Sequence, residues 1–167
     1  MKISVLVILA LTLIFFPLIN SSAKASNRLA KDFQLQDTRQ DNVRLSDYIG
    51  KQPIILYFWA TWNAGAGDDL RTLNSSYGNF HYDGLEFLAI NVGESPDTVS
   101  DFIDPYNLAY QVLLDKVSSV ASAYQVEVPS FVIINKKGEV VFKDSYFPYD
   151  DYKELLSGDR ETLETDK

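Results

Sequence analysis

Six consecutive residues, Ile54-Ile55-Leu56-Tyr57-Phe58-Trp59, are all aliphatic or aromatic. A strand sends alternate side chains to opposite faces, so a run apolar at every position needs cover on both sides. Its short length and its β-branched and aromatic content fit a central strand of a sheet flanked by helices. Leu85 to Val92 is a second run of the same kind. Between them, Leu70, Leu73, Tyr77 and Phe80 recur at spacings of three and four, which places them on one face of a helix over Asp68 to Phe80. Strand, helix and strand in this order form a right-handed crossover, so the two strands are expected to be parallel.

The remaining punctuation completes the plan. Ser95-Pro96 opens another helix, with Pro at the first position, where a missing N–H costs nothing. Val99, Phe102 and Ile103 line its inner side, and Pro105 ends it. Gln111 to Leu114 is a short extended piece and Ser118 to Tyr124 a short helix. Ser130 to Asn135 and Glu139 to Lys143 flank the turn Lys136-Lys137-Gly138 as a hairpin, and Tyr149 to Leu156 closes the chain as a helix. The expectation is an α/β protein with a mixed central sheet flanked by helices, one domain whose body runs from about Ala30 to Leu156. Ser26 to Lys31 reads as a polar entry, and an acidic tail begins at about residue 158.

Residues 1–25 stand apart. A basic start at Lys2, the apolar run Ile3 to Ile19 and the small-x-small sequence Ala23-Lys24-Ala25 have the form of a cleavable signal peptide, with the cut expected between Ala25 and Ser26. Pro17 and Asn20-Ser21-Ser22 shorten the run below what a membrane anchor requires. Contact with a membrane is thus expected only before cleavage. A lipoprotein anchor is excluded because it needs a Cys, and the 167 residues contain none. Ten Phe, ten Tyr and two Trp supply apolar area for a core without disulfides. Loss of residues 1–25 leaves thirteen bases against 23 acids, a balance that repels nucleic acid and favours solubility.

The segments Ala30 to Asp37, Val43 to Tyr48, Gly50 to Pro53 and Tyr57-Phe58-Trp59-Ala60-Thr61-Trp62 resemble the opening of the extracytoplasmic thiol-disulfide oxidoreductases of the TlpA/ResA type. Ala89 to Ser95 and Pro129 to Ile134 continue the resemblance over nearly the whole chain after residue 25. It implies a thioredoxin-like fold within the wider redoxin group. In that family the second Trp is followed by Cys-x-x-Cys at the start of a helix, where the dipole and free N–H groups stabilise an attacking thiolate. Here the motif reads Asn63-Ala64-Gly65-Ala66. Exchange requires a sulfur nucleophile, so no intact catalytic residue remains and the motif is redox-inert. Asn63 is expected to serve instead as the helix N-cap, accepting from the N–H of Gly65 or Ala66. Asp69 matches the place of a family carboxylate that shuttles protons, and with no thiol to serve it is read as a helix-start residue.

The resemblance also implies a cis-proline loop, Val128-Pro129-Ser130, facing the degenerate motif. The interval from Tyr124 to Pro129 is about one residue shorter than usual, which puts the loop's position in question. Trp59, Trp62, Asn63, Val128 and Pro129 are the residues expected to contact a bound peptide segment.

Other chemistry finds less support. His81 is the single histidine and is read as a solvated loop residue rather than part of a catalytic triad. One His and no Cys argue against zinc or copper, and a peroxidatic Cys is absent too. Asp32, Asp37, Asp41 and Asp47 lack calcium-loop spacing and are read as a solvated acidic surface. Gly65 and Gly67 do not form a phosphate loop. No metal and no cofactor is expected. Tyr146, Phe147, Pro148, Tyr149 and Tyr152 pack a final helix or leave an exposed patch. The functional expectation is an exported, non-redox module that binds a protein or peptide client. The alternatives are action through a partner's thiols in a periplasmic reductase or cytochrome c maturation-type system, or an inactivated or engineered copy of such an enzyme.

Overall fold

The computed structural model describes residues 28–157. The expected signal peptide, its expected cleavage point and the acidic tail lie outside those residues. The described chain forms β1 (Arg28–Leu29), β2 (Gln34–Asp37), β3 (Asn42–Arg44), β4 (Ile54–Trp59), α1 (Ala66–Tyr82), β5 (Glu86–Val92), α2 (Pro96–Ile103), β6 (Gln111–Asp115), α3 (Ser119–Tyr124), β7 (Ser130–Ile134), β8 (Glu139–Asp144) and α4 (Tyr152–Ser157). Eight strands make one mixed sheet in the order β1-β8-β7-β4-β5-β6-β2-β3.

The apolar run is the sheet's centre, and every residue of β4 is buried. β5 pairs with β4 in parallel from Ile54 opposite Glu86 to Trp59 opposite Asn91, as the crossover requires. β6 adds in parallel on the far side of β5, while β7 pairs antiparallel to β4 and leads into the β7–β8 hairpin. The strand alternation sorts the interior into two cores. Ile55, Tyr57 and Trp59 face one, with Leu70, Leu73 and Phe80 of α1, Val99 of α2 and Tyr152 and Leu155 of α4. Ile54, Leu56 and Phe58 face the other, with Leu45, Phe33 and Val120, Ala121 and Tyr124 of α3. Each fully buried Leu or Phe of α1 contributes about 1.5–3 kcal/mol relative to exposure, which is what holds that helix on the sheet.

Four features differ from the sequence reading. The entry segment is not merely polar: Arg28 and Leu29 pair with Val140 and Glu139 at the edge of β8. The segment 34–44 forms β2 and β3, which extend the sheet beyond β6. Strands of two to four residues are too short to carry a period. Asp37 is buried rather than solvated, because its carboxylate closes the β2–β3 turn by accepting from the N–H groups of Arg39 and Asp41 and from Arg39 Nε. His81 lies on the last turn of α1, exposed and stacked on Tyr77, since that helix continues to Tyr82.

Candidate functional site at the carboxyl edge of the parallel strands

β4, β5 and β6 end together, and the loops that follow them share one edge of the sheet. The β4–β7 ladder ends with Phe58 opposite Ser130. Trp59-Ala60 and Val128-Pro129 therefore leave the sheet side by side, and the Val128–Pro129 bond is cis. Gly93, just past β5, donates its N–H to the Asp115 carbonyl at the end of β6. A side chain at Gly93 would meet the Ser118 hydroxyl, so these two loops are in close contact. In open α/β sheets this carboxyl edge is where ligands gather.

The degenerate motif forms two consecutive turns leading into α1. Asn63 donates its N–H to the Ala60 carbonyl, and its own carbonyl accepts from Ala66 N–H at 3.1 Å. The N-cap of α1 is Gly65, with φ 93° and no side-chain bond, so the expected capping role of Asn63 does not hold. Position 65 needs the left-handed backbone that Gly adopts freely, and the turn moves the cap two residues past Asn63. Asn63 is left half-buried and Ala66 buried.

The expected contact residues separate into two groups. Trp62 projects into solvent with 69% of its surface exposed, and Val128 and Pro129 are partly exposed. Trp59 is fully buried and packs on Phe102, ring centroids 5.7 Å apart, which removes it from any open groove. The alternation that puts Ile55 and Tyr57 in the core dictates this.

Asp69 lies in the first turn of α1, the helix-start place expected of it. Its Oδ2 accepts from the Tyr57 hydroxyl at 2.8 Å. Burial pushes the Tyr57 phenol well above its ordinary value, and the neighbouring Asp69 carboxylate reinforces the shift.

Glu94 is the site residue that sequence reasoning passed over. Its carboxylate accepts from Thr61 N–H at 2.7 Å, Thr61 Oγ1 at 2.5 Å and Asn91 Nδ2 at 2.6 Å, and so binds the loop after β5 to the loop after β4. The available signal was an acid one residue beyond a Gly at the end of a parallel strand, Val92-Gly93-Glu94. Beside it, the fully buried Asn91 has no partner for Oδ1, and Trp59, opposite it on β4, has none for Nε1 among the described residues. A depression of about 260 Å³ lies elsewhere, between Lys31–Gln34 and α3, and holds none of these residues.

Residues 27–143 match the model of the AhpC/TSA family. The chain belongs to the AhpC/TSA family. Among AhpC/TSA proteins it is 36% identical over 120 residues to the thiol-disulfide oxidoreductase ResA of Geobacillus kaustophilus, a match covering 71% of this chain and 68% of that one. It is also 36% identical to Bacillus subtilis ResA over 113 residues, with 67% of this chain and 63% of that protein covered. The thioredoxin domain of a thiol-disulfide oxidoreductase from Bacteroides vulgatus has the same fold, with a TM-score of 0.69 at 18% identity, covering 79% of this chain and 98% of that one. So does a secreted disulfide oxidoreductase of Mycobacterium tuberculosis, with a TM-score of 0.64 at 18% identity over 75% and 95% of the two chains. This AhpC/TSA chain is thus thioredoxin-like and ResA-related, and carries no cysteine.

Proposed function

We propose that the chain is an exported, thiol-free thioredoxin-like module that holds an extended segment of another exported protein at the carboxyl edge of its sheet. The observation that carries this reading is the combination of an indole exposed at 69% with the neighbouring half-exposed Val128-Pro129 loop, on a scaffold with no sulfur nucleophile. A large apolar side chain left in solvent beside a strand terminus fits a site that binds by backbone pairing and apolar contact. Export is supported by the signal-like residues 1–25 and by the description of the mycobacterial relative as secreted. Without a thiolate, binding and release replace exchange.

The test is a screen of short unstructured peptides from exported proteins against the chain and its Trp62→Ala variant. Peptides retained by the first and lost by the second support the reading. Equal retention by both, or none by either, overturns it.

A further inference from the structure

The carboxylate of Glu94 is half-buried and carries three hydrogen bonds, all from neutral donors: Thr61 N–H, Thr61 Oγ1 and Asn91 Nδ2. None of the ion pairs among the described residues includes it. Its charge is therefore fixed in place and left uncompensated. The Asn91 amide that donates to it is fully buried, which fixes the Glu94 carboxylate against the end of β5. Thr61, which donates to Glu94 through both its N–H and its hydroxyl, directly precedes Trp62, whose indole is exposed. Val117, 82% exposed, follows the adjacent β6 and adds apolar surface at the same edge.

From this geometry we propose that Glu94 determines which segment the site accepts, selecting one with a Lys or Arg next to the residue that packs on Trp62. The proposal rests on the peptide-binding reading above. A carboxylate already held by three donors loses no side-chain freedom when a cation arrives, and its partial burial reduces screening by salt. The cationic group donates to Glu94 while the residue beside it packs on Trp62. An acidic residue at the same place meets a fixed like charge and is rejected.

The experiment uses three synthetic peptides with one shared apolar frame and Arg, Gln or Glu at the central position. Binding is measured by fluorescence anisotropy for the chain and for Glu94→Gln, Asp97→Asn and Trp62→Ala. The Arg peptide is expected to bind about tenfold more tightly than the Gln peptide, and the Glu peptide more weakly still. In Glu94→Gln, whose amide oxygen still accepts from Thr61, the difference between the Arg, Gln and Glu peptides is expected to collapse. Asp97→Asn, which removes an exposed charge from the first turn of the neighbouring α2, should keep the ranking and so separates local recognition from overall acidity. A ranking that survives Glu94→Gln, or that is absent from the unmodified chain, overturns the role of Glu94 while leaving the groove intact. Binding unaffected by Trp62→Ala, or no binding of any peptide, overturns the groove itself.

Discussion

The Tyr57 hydroxyl donates to Asp69 Oδ2 at 2.8 Å, joining the central strand to the first turn of α1 through a residue with no solvent exposure. Tyr57→Phe keeps the ring stacked on Phe131 and removes only this bond. The expected loss is about 1–2 kcal/mol in urea unfolding, since the acceptor is charged. Asp69→Asn should cost less than Asp69→Ala, because an amide oxygen can still accept.

Alkaline pH should unfold the protein through its buried phenols. Burial raises the ionisation of Tyr57, Tyr110 and Tyr124 above the ordinary 10.0. The unfolded chain therefore releases protons first, and stability is retained below about pH 10 and falls above it. Phenolate absorbance followed together with circular dichroism should show these three tyrosines ionising only as the fold is lost.

Two glycines of one helix predict opposite outcomes. A Cβ at Gly78 meets open space, so Gly78→Ala should stabilise by about 1 kcal/mol through helix propensity. A Cβ at Gly67 would collide with the Tyr106 hydroxyl, displacing a ring that packs on Phe102 and lies under Arg71. Gly67→Ala should destabilise, and adding Tyr106→Phe should recover part of the loss. Thermal unfolding of the three variants distinguishes the cases.

The turn that ends with Asn63 C=O accepting from Ala66 N–H brings positions 63 and 66 together. Asn63→Cys with Ala66→Cys is expected to form a disulfide on air oxidation, detected by thiol titration before and after reduction. Reduction of an insulin disulfide by this variant should remain slow while Tyr57 occupies Asp69, and speed up when Tyr57→Phe is added. Equal rates in the two backgrounds would show that the carboxylate plays no part.

Much of the scaffold was legible from patterning. Ile54–Trp59 could be satisfied only in the middle of a doubly covered sheet, and the spacing of Leu70, Leu73 and Phe80 allowed one helix face. The Gly138 turn, with φ 83°, and the Ser95 cap, accepting from Thr98 N–H at 3.2 Å, were local signals strong enough to stand alone. β1, β2 and β3 were not legible, because two to four residues become strands only when β8 or β6 offers an edge.

The sequence by itself determined the order of strands and helices from β4 onward, the absence of a thiol, and the place in the chain where the redox motif has been replaced. These follow from residue identity and short-range periodicity, which act over a few neighbouring positions. Only the tertiary structure decided the fates of the polar groups around that place. It put Trp59 in the core and Trp62 in solvent, moved the helix cap from Asn63 to Gly65, gave Asp69 to Tyr57, and set Glu94 against Thr61 across 33 residues of sequence. A hydrogen bond between distant residues depends on where two strands end relative to each other, a property of the folded sheet that no local pattern encodes.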